Sequence, residues 1–325
     1  MIDLHLHLDG SVFPKTIIEI AKKEKINIPS YEEKELEKYL ICPSNCQSLN
    51  EYLTKFDLPG QVMQTKYGLF KVTCDLIEKL SEEGIIYAEI RFAPQLHLKK
   101  GLNQEEVVQE VLKAIKYANE KFDIKTQIIL CCMRGKDNHQ LNFETIKIAS
   151  KYLHKGVCAV DLAGAEALFK TATFKEEFSL AQTLNIPFTI HAGESDSIES
   201  IKCAVEFGAK RIGHGIRAVD DEKFMNYLAK NKIGIELCPT SNLQTKAVKN
   251  MREYPLKTFL NHHMLATINT DNMVVSNTTL NKEFNLLQNE INLTDKEKEV
   301  LLLNSIEISF LSEEEKKILR KKVGI

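Results

Sequence analysis

The chain opens with Met1-Ile2-Asp3-Leu4-His5-Leu6, a short β-rich run that is the first of eight in the sequence. Segments with helical periodicity separate these runs and are long enough to cross between parallel strands. Eight strands alternating with helices in one chain of 325 residues predict a (β/α)₈ TIM barrel of the α/β class. The eight runs are residues 1–6, 85–92, 126–132, 156–161, 187–191, 211–214, 233–238 and 265–270.

The interval between the first two runs is about 80 residues long, more than one crossover helix needs. Extra helices are therefore predicted between strand 1 and strand 2, and others at the C-terminus after the eighth strand. Within the interval, Leu49, Tyr52, Leu53 and Phe56 recur at i, i+3, i+4 and i+7 and share one helical face. Such a face usually packs on the core. The alternative is a hydrophobic wall over a ligand at the barrel mouth.

Three segments match the capping box and predict helix starts at Thr173, Thr294 and Ser312. No internal repeat, low-complexity tract or Pro/Gly/Ser-rich linker interrupts the sequence. Residues 1–325 are therefore expected to form a single domain, and the sequence indicates no oligomeric state.

Composition excludes several classes of protein. Hydrophobic residues make up 43% and charged residues 27%, which is typical of a globular chain. A formal net charge of −2 argues against nucleic-acid binding by bulk electrostatics. No apolar stretch approaches the ~18 residues of a membrane span and no export signal opens the chain, so the cytoplasm is expected. Eight cysteines are too few for a disulfide scaffold and are interpreted as buried thiols.

Polar residues end several predicted strands, where the active sites of this barrel fold lie. His5 and His7 are two positions apart on the first strand and project to the same side. His191 ends the fifth strand and Asp271 the eighth. Three imidazoles and one carboxylate suit zinc, with a position left for water. These four residues are the predicted metal ligands, although each taken singly is more often an ordinary core or surface residue.

A bound zinc ion lowers the pKa of its water towards ~7, which predicts a hydrolytic reaction. Glu194 is then a candidate proton donor and acceptor, and His214, ending the sixth strand, a candidate for orienting the hydroxide. The alternatives are a helix N-terminal carboxylate and a core histidine. Many binuclear hydrolases with this fold use a carbamylated lysine at the end of the fourth strand. Here that end reads Asp161-Leu162-Ala163-Gly164, so one metal ion is expected. The remaining histidines are expected at the surface: His97, His139, His154, His262 and His263.

The ordered motifs resemble those of the adenosine deaminase family almost from end to end. They are His5-Leu6-His7-Leu8-Asp9-Gly10, Asp161-Leu162-Ala163-Gly164, His191-Ala192-Gly193-Glu194, Gly213-His214-Gly215, Cys238-Pro239-Thr240-Ser241-Asn242 and Asn269-Thr270-Asp271. The resemblance implies a mononuclear zinc aminohydrolase of purine salvage that converts adenosine and 2′-deoxyadenosine to the inosine forms and ammonia.

The resemblance also implies roles for individual residues. Glu194 would protonate purine N1, while His214 and Asp271 would hold the hydroxide that attacks C6. The ligands of one Zn²⁺ would be His5, His7, His191 and Asp271.

The substrate contacts that the resemblance implies involve His7, Asp9, Gly164 and Asn272. Asp9 would bind the ribose 5′-hydroxyl and favours a nucleoside, because similar adenine deaminases typically have Glu there and the AMP-like branch Asn. The backbone N–H of Gly164 would donate to purine N3. Asn272 replaces an Asp of many family members that contacts purine N7. An amide donates at any pH whereas a carboxylate must first be protonated, so purine binding should depend less on acidic pH.

Two other functions stay open on the sequence. Deamination of a related adenine nucleoside, or of free adenine, would use the same machinery. A catalytically inactive purine-binding protein belongs to a different class and would be expected to lack a metal ligand or a proton-transfer residue. All six are present: His5, His7, His191, Glu194, His214 and Asp271.

Overall fold

A computed structural model describes residues 1–324 and shows a mixed α/β fold with parallel strands. Each strand coincides with a predicted run to within a few residues. The single-domain prediction extends to residue 325, which lies outside the described residues. The strands are β1 (Ile2–His7), β2 (Tyr87–Phe92), β3 (Lys125–Met133), β4 (Val157–Ala163), β5 (Thr189–Ala192), β6 (Arg211–His214), β7 (Gly234–Leu237) and β8 (Leu265–Ile268).

Helices connect successive strands and extend the fold at the two predicted places. Those among residues 1–324 are α1 (Pro14–Glu24), α2 (Glu33–Leu40), α3 (Leu49–Leu53), α4 (Asp57–Val62), α5 (Lys66–Glu82), α6 (Gln104–Lys121), α7 (His139–Tyr152), α8 (Lys175–Thr183), α9 (Ile198–Glu206), α10 (Glu222–Lys230), α11 (Pro239–Gln244), α12 (Leu256–Asn261), α13 (Leu280–Ile291), α14 (Asp295–Ile308) and α15 (Glu313–Lys322).

The strands lie in two four-stranded parallel sheets, β1-β2-β3-β4 and β5-β6-β7-β8. Single parallel bridges join the sheets at both seams, Val160 with Phe188 and Leu6 with Asp271. At the second seam the backbone N–H of Asp271 donates to the carbonyl of His5 at 2.8 Å. The two bridges complete a ring of eight strands, as the barrel prediction requires, and they hold Asp271 against β1.

The last two helices cover the amino-terminal end of the ring. Ile306 of α14 and Leu319 of α15 belong to one buried apolar cluster with Leu4 of β1 and Tyr87 of β2. The opposite end, where the strands finish, is left to the loops and to the insertion after β1. Within residues 1–324, no helix has both the length and the apolar character that crossing a membrane demands.

Two of the three predicted capping boxes are confirmed. Thr294 and Ser312 each accept a hydrogen bond from the third residue of the helix, whose glutamate returns one. The prediction at Thr173 is wrong, because Thr173 lies within a 3₁₀ turn and its hydroxyl donates to the carbonyl of Lys170 at 2.8 Å. Helix α8 begins only at Lys175.

Candidate active site

A cavity of about 250 Å³ lies where the strands end. Eight of the nine predicted site residues line it. The other one, His5, is fully buried, and its Nε2 lies 3.5 Å from Asp271 Oδ1. Strand ends far apart in sequence thus converge on one space, as the fold predicts. The predicted site residues that line the cavity are His7, Asp9, Gly164, His191, Glu194, His214, Asp271 and Asn272.

The four predicted metal ligands form one cluster, in which each side chain offers a ligand atom within 4.8 Å of the others. The two Nε2 atoms of His7 and His191 are 3.1 Å apart. This separation is compatible with two nitrogens that bind the same ion, each at about 2.0–2.1 Å. Within residues 1–324, the buried Nε2 of His5 has no hydrogen-bond partner. A divalent cation would satisfy these converging lone pairs, so the residues fit a zinc-type site.

The protonation states of three of the four predicted ligands also suit a cation. Burial lowers the pKa values of His7 and His191, so both rings are neutral at neutral pH. Burial alone would raise the pKa of Asp271, but the His5 ring 3.5 Å away and the other neighbouring histidines hold that pKa well below its usual range. Neutral imidazoles and an ionised carboxylate are the forms that bind metals.

A second group of potential ligand atoms, from His5, His214 and Cys238, also lies within 4.8 Å. Burial and the charge of Asp271 raise the pKa of the Cys238 thiol well above its usual value. The thiolate is the form of cysteine that binds metals. A protonated Cys238 therefore makes this group the poorer site.

Local backbone conformation brings the histidines together. His214 and Asp271 have φ values of +61° and +57°, in the left-handed region that costs a non-glycine residue free energy and is concentrated at functional sites. Gly213 in β6 has a steric role, because a Cβ there would come within 3.0 Å of the His5 ring and 3.2 Å of the His191 Cα. Any side chain here would therefore displace these residues by a few tenths of an ångström, and glycine lets the two rings meet without that shift.

Glu194 lies beside the cluster and is 5% exposed. The Thr245 hydroxyl donates to its Oε1 at 2.8 Å, and its Oε2 lies 3.6 Å from His214 Nε2. Burial and the charge of Asp271 raise the pKa of Glu194 to about 8. The carboxyl therefore carries a proton at neutral pH and can donate it.

The orientation of His214 depends on Asn242, to which the sequence assigned no role. Nδ2 of Asn242 lies 3.0 Å from His214 Nδ1, and the Tyr254 hydroxyl donates to Asn242 Oδ1 at 3.0 Å. With its oxygen accepting from Tyr254, the amide presents its N–H groups to His214. Nδ1 of His214 then accepts, and the proton of the neutral ring is on Nε2, the atom that faces Glu194.

Carboxylates behind the cluster hold the other ring nitrogens of two ligand histidines. Glu236 Oε2 lies 2.8 Å from His5 Nδ1, and Asp161 Oδ2 lies 2.9 Å from His191 Nδ1. Arg91 joins the two carboxylates with bonds of 2.8 and 3.0 Å. Partners of this kind fix the ring tautomer and orientation of a metal ligand.

Sequence reasoning did not assign roles to these supporting residues, although a signal was present. Arg91, Asp161 and Glu236 are charged residues inside otherwise apolar strand runs, and all three are fully buried. Buried charges are paired or bind metals. The network could therefore have been predicted from the charged residues within the predicted barrel strands.

The predicted substrate-contact residues also lie at the cavity. Asp9 Oδ1 and Asn272 Oδ1 are both buried and have no hydrogen-bond partner among the described residues. Burial raises the pKa of Asp9 to about 6. Gly164 follows β4 directly. Unsatisfied buried polar atoms are costly unless a ligand or water completes them.

The helical stripe of the insertion serves both predicted purposes. Tyr52 is 2% exposed and belongs to a small apolar cluster with Val275. Leu49, Leu53 and Phe56 are partly exposed and line the cavity. Tyr52, within the stripe, is therefore core, and the three residues on either side of it form the apolar wall of the site.

The expectation of a surface position is wrong for His97. Its side chain is 1% exposed, with its ring centroid 6.0 Å from that of Phe92. A 3₁₀ turn, Pro94–Leu96, follows β2 and places His97 beside the strand it has just left. The other four histidines expected at the surface are at least partly exposed.

Known proteins resemble this chain over nearly its whole length. The sequence model of the family described as adenosine deaminase matches residues 1–324. The adenosine deaminase of Haemophilus ducreyi is 48% identical over 323 residues, which cover 98% of this chain and 94% of that protein. The adenosine deaminase of Clostridium botulinum strain 657 is 43% identical over 321 residues, covering 98% and 97%.

Solved structures share the fold. The adenine deaminase of Arthrobacter aurescens superposes with a TM-score of 0.89 at 26% identity, covering 99% of this chain and 97% of that one. A cog1816 amidohydrolase from Burkholderia ambifaria, with bound Zn, has a TM-score of 0.88 at 17% identity and covers 98% and 88%. The full-length family match and the identities of 43% and 48% are decisive. The chain belongs to the adenosine deaminase family.

Proposed function

We propose that this chain is a zinc-dependent aminohydrolase that converts adenosine and 2′-deoxyadenosine to inosine and 2′-deoxyinosine with release of ammonia. The observation that carries the proposal is a single cavity in which the protonated Glu194 lies beside the four-residue donor cluster. Relatives that bear the name adenosine deaminase at 43–48% identity support the same activity.

One Zn²⁺ per chain would be held by His5, His7, His191 and Asp271. Three nitrogens and one carboxylate oxygen are ligands that zinc prefers. The chemistry that such an ion supplies when bound is the activation of water near neutral pH. Glu236 and Asp161 would keep the rings of His5 and His191 turned towards it.

The reaction replaces the 6-amino group of the purine by oxygen. Water and adenosine give inosine and ammonia, so one C–O bond forms and one C–N bond breaks at C6. Glu194, neutral up to about pH 8, gives its proton to N1 and makes C6 electrophilic. It then takes one proton from the incoming water and passes it to the departing amine. It recovers its own proton from the oxygen on C6 as the C6=O bond of inosine forms, so N1 keeps the first proton and Glu194 ends the reaction protonated again. His214 presents an N–H at Nε2 that can hold the oxygen of this water in place.

The lining of the cavity favours a neutral nucleoside. Within the described part of the chain, the lining includes the carboxylates of Asp9 and Asp271 and the protonated Glu194, but no Lys or Arg. A 5′-phosphate would be repelled there, whereas Asp9 can accept a hydrogen bond from the ribose 5′-hydroxyl. The amide of Asn272 would donate to purine N7 and the backbone N–H of Gly164 to N3. His7 would contact the substrate beside the metal.

We also propose that residues 1–325 act as one domain, in the cytoplasm and in purine salvage. The partner of this domain would be a small nucleoside, with no role for nucleic acid or a membrane.

A substrate panel on zinc-loaded protein tests the proposed function. Ammonia release from adenosine, 2′-deoxyadenosine, adenine and AMP would be followed separately. We expect the two nucleosides to have kcat/KM values at least ~10²-fold above those of adenine and AMP. Turnover of adenine alone would contradict the nucleoside proposal. Binding of adenosine without any turnover would indicate a purine-binding protein instead.

A further inference from the structure

Glu166 lies in the loop after β4, and its carboxylate accepts hydrogen bonds from the backbone of a different loop. The side chain is 1% exposed. Its Oε1 accepts from the amide N–H of Gly193 at 2.7 Å. Its Oε2 accepts from the amides of Glu194, Ser195 and Asp196 at 3.0, 2.8 and 3.1 Å. Four consecutive amides of the loop that carries Glu194 therefore converge on one buried carboxylate.

The backbone conformation of this loop creates a binding site for an anion. Gly193 has φ +70°, and a Cβ there would come within 2.5 Å of Ile201. Successive N–H groups that point the same way form a nest with positive potential, and the N-terminus of α9 follows at once. The hydroxyl of Ser200 in α9 also donates to Glu166 Oε1, at 2.6 Å. Glu166 is the anion that fills this nest.

The end of β5 has contacts of its own, which connect to Glu166 only indirectly, through Thr171 and Ser200. Arg134, 5% exposed, donates to the carbonyl of His191 at 2.6 Å and to that of Phe169 at 2.7 Å. Loss of Glu166 would leave this contact and the Asp161 bond of His191 in place. The loss of Glu166 would instead change the position of Glu194, whose side chain has Thr245 as its hydrogen-bond partner.

We propose that Glu166 is the positioning residue for Glu194, which rests on the proposed function of Glu194 as proton donor. Glu166 does not line the cavity, so it acts through the backbone. By fixing four amides it sets where the Glu194 side chain leaves the chain and hence where its carboxyl points. Misplacement of a reacting group by about 1 Å can cost on the order of 10²-fold in rate.

The test is Glu166→Gln in the full-length, zinc-loaded protein. Glutamine has the same shape, but its NH₂ group would face at least one backbone N–H in either orientation. We expect kcat for adenosine to fall roughly 10²-fold, with KM changed less than ~3-fold and zinc content unchanged. Hydrogen exchange of the amides of residues 193–196 should become faster.

The matched control is Glu177→Gln, which removes another buried carboxylate. Glu177 lies 2.6 Å from His139 Nδ1 and is not part of the cavity lining. Its variant should keep the wild-type kcat and the wild-type exchange of residues 193–196. Should Glu166→Gln fail to fold, Ser200→Ala keeps the carboxylate but removes one of its donors, together with the bond between Ser200 and Thr171. The expected result is a loss of about 3-fold in kcat at constant KM.

An active wild type whose Glu166→Gln variant keeps kcat within ~2-fold would overturn the positioning role. So would a loss of kcat that accompanies loss of zinc or faster exchange throughout the protein. A wild type that does not deaminate adenosine would instead defeat the proposed function. The exchange of residues 193–196 would then still report whether Glu166 holds the loop.

Discussion

Burial keeps the Glu194 carboxyl protonated at neutral pH, which is the state that catalysis needs. Its pKa is raised to about 8 by burial and the charge of Asp271. Below that value the carboxyl is neutral and able to donate a proton; above it the proton is lost. We therefore expect kcat/KM for adenosine to fall as the pH rises through about 8, approaching tenfold per pH unit. Steady-state rates across this range measure the effect.

The control for this pH dependence is Glu194→Gln. The amide cannot transfer a proton, so turnover should fall by about 10²–10⁴-fold and lose its alkaline limb. Zinc content should stay at the wild-type level, because Glu194 is not among the four clustered ligands. A wild-type profile that stays flat well above pH 8, or an active glutamine variant, would show that the proton takes another route.

At the scale of single residues, position at a strand end was enough to predict which side chains meet. His5, His7, His191 and Asp271 converge because parallel strands of a barrel end at one mouth. Glu166 could not be predicted in this way, because its partners are the backbone amides of a loop whose conformation depends on Gly193. Such a contact leaves no periodic signal in the sequence.

At the scale of strands, Glu236 of β7 connects β1, β2 and β6. Its carboxylate bonds to His5, Arg91 and Arg211 at 2.8, 2.8 and 2.6 Å. Glu236→Gln keeps the shape but loses the charge that orients the His5 ring. We expect zinc affinity to fall by about 10–100-fold, measured by competition with a chelator.

Glu89→Gln serves as the comparison for Glu236→Gln. Glu89 is equally buried and pairs with Arg211 at 2.6 Å, but among residues 1–324 it makes no direct hydrogen bond or ion pair with a ligand histidine. Its variant should retain zinc as the wild type does. Equal zinc affinities for the wild type and Glu236→Gln would rule out the orienting role of β7.

Among the helices, the insertion after β1 supplies the apolar wall. Phe56 lines the cavity and is partly exposed. Phe56→Ala would remove contacts that ground state and transition state share, so we expect KM for adenosine to rise roughly tenfold with kcat within ~3-fold. Ile318→Ala, which removes a 66% exposed side chain from α15, should leave both constants unchanged. A loss confined to kcat would contradict the role of a wall.

Sequence periodicity predicted the elements better than their boundaries. The stripe from Leu49 to Phe56 reads as one helix, but the structure divides it into α3, which ends at Leu53, and a 3₁₀ turn, Thr54–Phe56. The hydrophobic pattern is similar in both conformations, so it cannot locate the change. Thr173 failed as an N-cap for a related reason, since its hydroxyl could also be satisfied by a carbonyl of its own turn.

At the scale of the whole molecule, the barrel brings together residues from its first and last strands. The bridge between Leu6 and Asp271 places a residue from the end of the barrel sequence against β1. The eight predicted strands, alternating with helices along the chain, predicted that the last strand would lie beside the first. The buried network of Arg91, Asp161 and Glu236 remained unassigned, because pairing of charges across the barrel depends on side-chain geometry that strand order does not specify.

The most direct test follows zinc content and adenosine turnover in the same sample, as a chelator strips the protein and zinc is then returned. Because His5, His7, His191 and Asp271 offer one donor cluster, turnover is expected to fall in proportion to zinc lost. It should recover fully at one zinc per chain. Full turnover in protein free of zinc and other divalent ions would contradict the central claim.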